Sequence, residues 1–420
     1  MLHPFDKALY AVRMPEATTL TKPSRCKCPP DPGTATRPRR RIQKSVYGEP
    51  MIVAHVISSF FVGGQEVMAV ELATRQVARG HRVLAVSLAP AEAGSLDTAF
   101  VRAGVETLHL PKRGPTVDIT LPLRLATALR RARVDVVHLH NPLPLIYGVP
   151  AGKAARCAIV FTRHGLVEGA GRQLWLRRQL ARFVDAYVAV SSEVADNSRA
   201  HRMATEPKLM VIENGIDLGR YQPRSDLRAA VRAELGLSVG ALVMGTVCRL
   251  VEGKNVGLLL RAALPHLAPE VHLLVIGDGP DRAVLEALAQ AHPQGRFVRF
   301  LGQRNDVARL LNGLDLFALS SNSEGHPLSV IEAMATGLPV LATRVGGIPE
   351  MIEDDQTGFL SFADEQAFTA RLAAALEQRP RWPAMGEAAR AAASQRFSSE
   401  RMTDRYLALY REILRTQPAP

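Results

Sequence analysis

From Met51 onward, short apolar runs alternate with segments whose apolar residues recur at helical spacing. MIVAHVIS from Met51, RVLAVSL from Arg82, VDVVHLH from Val134, AIVFT from Ala158 and DAYVAVS from Asp185 are continuous enough to be strands buried on both faces. Between them, VMAVELATRQVA from Val67 and LPLRLATALRRA from Leu121 carry the 3.6-residue period of a helix. The rhythm pauses at NGIDLGRYQP, from Asn214 to Pro223, which is turn-rich and suits a linker. It resumes with LVMGTVC from Leu242, VHLLVIG from Val271, RFVRFLG from Arg296, DLFALS from Asp315 and PVLAT from Pro339. Alternating buried strands and helices predict a parallel sheet covered on both sides. Two such α/β units are expected, residues 51–220 and 221–395, each a Rossmann-like doubly wound domain. Ligands of such sheets bind beyond the carboxyl ends of the strands, which makes a cleft between two facing sheets the expected site. The last segment, 396–420, contains SSERMTDRYLALYREIL from Ser398, a helix with a serine cap that is expected to cross back to the first domain.

Residues 1–50 break this pattern. They hold eight of the 28 prolines and the run RPRRR, and no apolar period persists, so a disordered basic extension is expected. Translation starting at Met51 is the alternative. Charge is distributed unevenly: residues 1–50 carry +6, 51–220 carry +7 and 221–420 carry −1 of the net +12. A basic half attracts nucleic acid, anionic lipid or a polyanionic substrate, and charge alone does not choose among them. Four cysteines are too few for a disulfide framework, and the Cys26–Cys28 pair has no second pair at zinc-ligand spacing. No charge-free apolar run reaches the length of a membrane span, and the first fifty residues lack the apolar segment of a signal peptide. The expected compartment is the cytoplasm.

The stretch from Ser320 to Glu350 carries the most chemistry. Pro327 suits the first helical position and the run to Ala335 is helical, so the amides of Gly325, His326 and Leu328 are expected at a helix tip that attracts phosphate. Glu324 and Glu332 then lie roughly 12 Å apart if the segment is helical throughout, which suits the two ends of one elongated ligand better than a glycosidase pair. Arg249 and Lys254 follow the strand from Leu242, at the edge where ligands bind; by themselves an arginine and a lysine there are ordinarily just solvated. Gly63 and Gly64 end a strand and open a helix, allowing close backbone approach. GDGPD, from Gly277, lacks the third glycine of a dinucleotide fingerprint, because Arg282 occupies it, and NAD is not expected.

EGHPLSVIE, from Glu324 to Glu332, resembles the E-x7-E motif of the retaining glycosyltransferases of family 4, which have the two-domain GT-B fold. GGQEV from Gly63, TRHG from Thr162, NGID from Asn214, RLVEGK from Arg249 and GGIPE from Gly346 resemble further motifs of that family in the same order. The resemblance implies transfer of a sugar from a UDP- or GDP-linked donor to a hydroxyl acceptor. The acceptor class is a sugar, glycolipid or polysaccharide, in cell-surface polysaccharide or glycolipid synthesis. It further implies that Glu324 binds hydroxyls of the transferred sugar, Glu332 the ribose, and Arg249 and Lys254 the diphosphate. By the same resemblance His164 is expected to orient the donor sugar, and the loop of Gln303 and Arg304 to touch the nucleobase. His326 stands where many members have phenylalanine or leucine, and either tunes donor choice or is a solvated cap. No D-x-D motif occurs, so no metal is expected, and no nucleic-acid partner is expected. The segment GRQLWLRRQLARFV from Gly171 interleaves arginines with Trp175 and Phe183, and is either a helix resting on anionic membrane at the inner face of the plasma membrane or an ordinary amphipathic helix. A sugar-nucleotide epimerase of the same architecture is the alternative activity, although E-x7-E with Arg-x4-Lys is not its pattern.

Overall fold

Seven parallel strands form the first sheet of the computed structural model, which describes residues 49–91, 96–114, 117–167 and 169–416. They are β1 (Ile52–Ile57), β2 (Arg82–Ser87), β3 (Glu106–His109), β4 (Val136–His140), β5 (Ala158–Arg163), β6 (Ala186–Ala189) and β7 (Leu209–Val211), in the spatial order β3-β2-β1-β4-β5-β6-β7. The second sheet contains β8 (Leu242–Val247), β9 (Val271–Ile276), β10 (Val298–Gly302), β11 (Leu316–Leu319), β12 (Val340–Thr343) and β13 (Gly358–Ser361), ordered β10-β9-β8-β11-β12-β13. Each sheet reverses direction beside its first strand, at β1/β4 and at β8/β11. Those switch points are where the strand ends open a crevice for ligand. Two Rossmann-like domains with interleaved helices therefore make up the described residues.

Three strands escape the apolar-run reading, for visible reasons. β3 is ETLH, an edge strand with polar residues at both ends; β7 has three residues; and β13 opens on glycine. The run from Arg296 also starts late, because Pro293–Phe297 forms a 3₁₀ turn before β10. Pro327 is the N-cap of the helix Leu328–Ala335 rather than its first residue, since its extended ψ of 122° keeps it outside the helix.

The last helix, Ser399–Thr416, is capped by Ser398, whose hydroxyl accepts from the Arg401 amide at 3.1 Å. It packs along the helix Gly64–Ala78 of the first domain, and the Tyr406 hydroxyl lies 3.0 Å from Thr162 Oγ1 at the end of β5. One apolar cluster runs from Val53 and Met68 through Val243 and Phe317 to Tyr406 and Tyr410, joining both sheets through this helix. The expected basic extension, including RPRRR and Cys26–Cys28, lies outside the described residues apart from Glu49 and Pro50. So do the last four residues of the segment 396–420.

Candidate active site

The second domain brings its predicted charges together at the β8/β11 switch point. Lys254 Nζ donates to Glu324 Oε1 at 2.6 Å, and the Ser321 hydroxyl donates to the same oxygen at 2.6 Å. The geometry follows from local backbone ties. Lys254 ends a 3₁₀ turn, the next residue Asn255 adopts φ 44°, and the Asn322 amide donates to the Gly253 carbonyl at 2.9 Å. The loop after β8 is thereby pinned to the loop after β11. GDGPD braces it from behind: a Cβ on Gly277 would lie 1.8 Å from the Cys248 carbonyl oxygen, and one on Gly279 would lie 2.2 Å from that of Leu250. These glycines serve close packing beneath Arg249, which is exposed.

The helix tip after Glu324 is built by contact between the domains. A Cβ on Gly325 would lie 1.9 Å from the His164 carbonyl oxygen, so only glycine lets the two loops meet. Gly346 and Gly347 close on the same loop from the other side, and the Gly347 amide donates to the Gly325 carbonyl at 3.0 Å. Glu350 then reaches across, accepting from the amides of Ser192 and Glu193 at 2.8 Å each, at the start of the first-domain helix Ser192–Ala200. The amides of Gly325, His326 and Leu328 donate to no group among the described residues, which leaves them for a ligand. The side chain of His326 is not the solvated cap that the sequence allowed. It is 3% exposed, packs edge-on against Phe397 with ring centroids 5.1 Å apart, and neither ring nitrogen has a partner. Burial, helped by Arg396, holds it down to about 3. Its carbonyl accepts from Asn214 Nδ2 at 2.8 Å, so the NGID turn steadies the helix tip.

Glu332 lies deeper along the same helix and is buried, with Oε1 accepting from the Tyr221 hydroxyl at 2.8 Å; burial pushes its carboxyl up. Arg304 follows β10 by two residues. Its guanidinium is held by Asp306 at 2.8 Å and by Glu234 at 3.5 Å, in a cluster that includes Arg309.

On the first-domain side, Gly63 is the N-cap of the helix Gly64–Ala78, and the missing Cβ of Gly64 faces open space. Glu66, three residues after Gly63, was not among the residues chosen from sequence. Its buried carboxyl is pushed up to about 7 by desolvation, against the opposing bond from Gln65 and the positive charge of Arg249. Arg249 thus acts on the far side of the cleft. His164 follows β5 and is half-buried. Behind it stand three histidines that sequence reading also passed over. His140 Nδ1 lies 3.1 Å from His164 Nε2, His140 Nε2 lies 3.0 Å from His55 Nδ1, and His55 Nε2 lies 2.8 Å from Gln76 Oε1. His138 sits beside His55 in register, between Thr162 and Tyr410 at 2.7 Å each. The signal was present in VDVVHLH: two histidines two apart on a strand share one face. The ligand atoms of His55, His138 and His140 fall within 4.8 Å of one another, as a metal site requires, yet all six ring nitrogens have hydrogen-bond partners.

Comparison with known proteins matches this arrangement. The family model described as Glycosyltransferase Family 4 matches residues 62–220, and that described as Glycosyl transferases group 1 matches residues 228–392. The chain is 30% identical over 403 residues to the D-inositol 3-phosphate glycosyltransferase of Streptomyces scabiei, covering 86% of this chain and 88% of that one. It is 29% identical over 371 residues to the N-acetyl-alpha-D-glucosaminyl L-malate synthase of Bacillus anthracis, covering 84% and 95%. Among solved structures, Anabaena Alr3699/HepE in complex with UDP-glucose superposes with a TM-score of 0.78 at 23% identity, over 86% of this chain and 99% of that one. Two family models in tandem, a relative aligned over most of both chains, and two facing Rossmann-like domains identify the chain as a glycosyltransferase of family 4, with the GT-B fold.

Proposed function

We propose that the enzyme is a retaining, metal-independent transferase that moves a sugar from a nucleoside diphosphate to a hydroxyl acceptor. The observation that carries this reading is the meeting of Lys254 with Glu324 at 2.6 Å beside three unclaimed amides. A diphosphate entering there draws Lys254 and Arg249 toward its oxygens and takes hydrogen bonds from the helix tip. Glu324, released from Lys254, accepts from sugar hydroxyls, and Glu332 takes the ribose at the other end. The bond from the anomeric carbon to the phosphate oxygen breaks, and its electron pair leaves with the diphosphate. The acceptor oxygen bonds the same face of that carbon, and its proton passes to the departing phosphate oxygen. Products are the glycoside and the nucleoside diphosphate. The cations balance the growing charge, which is the role a metal ion has elsewhere, and the absence of D-x-D supports the metal-free reading. UDP-glucose bound by the structural neighbour supports a nucleotide-sugar donor. The transferase names of the relatives leave the epimerase alternative without support.

Incubation with UDP- or GDP-sugars should release nucleotide slowly, with EDTA making no difference. Lys254→Ala and Glu324→Ala should each lower the rate by ~10²–10³. Release unchanged in both variants removes the basis of the proposal.

For the acceptor we propose a membrane-borne glycolipid or growing polysaccharide, met at an anionic surface on the cytoplasmic side. No helix among the described residues is long and apolar enough to cross a membrane. The helix Gly171–Ala181 buries Leu174 and Ala181 but turns Trp175 outward, 61% exposed, and the adjoining Phe183 is 56% exposed. Arg172 and Arg182 lie exposed beside them, the combination that rests on anionic headgroups. The protein should sediment with anionic vesicles at low salt, and Trp175→Glu should return it to the supernatant. Wild-type protein remaining in the supernatant refutes the membrane role.

A further inference from the structure

The buried histidines carry a direction. Gln76 Oε1, 2.8 Å from His55 Nε2, can only accept, so His55 Nε2 holds the hydrogen. A neutral imidazole has one N–H, which makes His55 Nδ1 an acceptor and assigns the hydrogen of the next bond to His140 Nε2. The step repeats: His140 Nδ1 accepts, and His164 Nε2 donates to it across 3.1 Å. Nδ1 of His164, which has no partner among the described residues, is then a bare lone pair where β5 ends. Burial keeps the chain neutral, holding His55 down to about 4, His140 well below its ordinary range, and His164, with Arg163 beside it, down to about 3. His138, whose ring centroid lies 4.1 Å from that of His140, is likewise held neutral by burial, and burial also keeps the Tyr410 hydroxyl, which faces Gln76 and His138, protonated. A metal at His55, His138 and His140 would have to displace bonds that already occupy every ring nitrogen.

We propose that the chain Gln76–His55–His140 fixes the tautomer of His164, so that Nδ1 meets the donor sugar as a hydrogen-bond acceptor and favours a hydroxyl or amide hydrogen over a carboxylate. Gln76, His55 and His140 are positioning residues. The half of the inference that faces the sugar rests on the proposed function, in which His164 borders the donor.

The test uses the full chain labelled with ¹⁵N-histidine and long-range ¹H–¹⁵N correlation spectra at neutral pH, with His164 assigned by its loss in His164→Gln. The expected spectrum has Nε2 of His164 protonated and Nδ1 bare. A protonated Nδ1, or displacement of the His55, His138 and His140 signals by one equivalent of Zn²⁺, overturns the chain in the wild-type protein, whatever the variants do. Gln76→Leu removes the anchor and should leave His164 averaging between tautomers; an unchanged spectrum overturns the anchoring. UDP-glucose should move the Nδ1 resonance where UDP alone does not, and Gln76→Leu should raise KM for UDP-glucose about three- to tenfold while inhibition by UDP stays the same. Equal effects of UDP and UDP-glucose on that resonance overturn the sugar contact. The expected tautomer in a protein that releases no nucleotide would leave the chain standing and count against the transferase donor alone.

Discussion

At the scale of single residues, the interior holds an unusual number of neutral histidines, and this sets how the protein responds to acid. His55, His138, His140, His164 and His326 all have their pKa lowered by burial, so between pH 6.5 and about 4 the unfolded chain binds protons that the folded one refuses. Stability from these groups is fully present above pH 6.5 and is lost as pH falls, by ~1 kcal/mol for each at pH 5.5. Glu66 works in the opposite sense: its raised pKa of about 7 makes the folded form hold a proton between pH 4.5 and 7, so its contribution falls as pH rises through that window. These five histidines, joined by His81, outweigh the two raised carboxyls, Glu66 and Glu332. Urea unfolding followed from pH 7.5 to 5.5 should show a falling midpoint, and His326→Phe should reduce the slope and raise stability at pH 5.5. A midpoint independent of pH in the wild type would contradict the buried, neutral assignment. His326→Phe should stabilise because it replaces two unpartnered ring nitrogens with carbon beside Phe397.

At the scale of elements, the loops after β8 and β11 become a site only because other elements hold them. The helix Ser192–Ala200 in the first domain takes its amide cap partly from Glu350 in the second, alongside the Ser191 hydroxyl that accepts from Val194 at 3.2 Å. A carboxylate on helix amides favours contact of the two domains, through hydrogen bonds and the helix dipole together. Glu350→Ala should lower stability by ~1 kcal/mol in chemical unfolding, the usual cost of a lost cap. It should also raise KM for the donor, since the Gly325–His164 contact depends on the same approach. Wild-type stability and KM in that variant would show that the bond does not hold the domains. Glu324, Lys254 and Glu332 were legible through the resemblance of E-x7-E and Arg-x4-Lys to a family's motifs, which works because each lies in a contiguous stretch whose local position is set within a few residues. Glu66, Tyr221 and Glu350 were not, since each acquires its role from an element distant in sequence.

At the scale of the whole molecule, the last helix closes the structure. Met402, Tyr406, Leu407 and Tyr410 are buried in the cluster shared by both sheets, and Tyr410 supplies a bond to His138 at 2.7 Å. Ile216 in the linker pairs with this crossing point, its amide donating to the Phe397 carbonyl at 2.9 Å. Truncation after Phe397 should therefore expose the histidine face of the first sheet and yield insoluble or thermally labile protein. A soluble truncated form with an unchanged melting temperature would deny the helix that role. What the chain reveals by itself is the alternation of strand and helix, the two-domain plan and the residues of its contiguous motifs, because buried parallel strands and helix tips have local signatures in apolar period, glycine and proline. Assembly decided the rest. β1 lies beside β4 only in the finished sheet, which sets His55 against His138 and His140. The Gly325–His164 and Glu350–Ser192 contacts exist only when the domains face each other, and the direction of the histidine chain depends on Gln76, contributed by a helix packed over that sheet. These roles come from atoms far apart along the chain, and no local pattern encodes the distance between them.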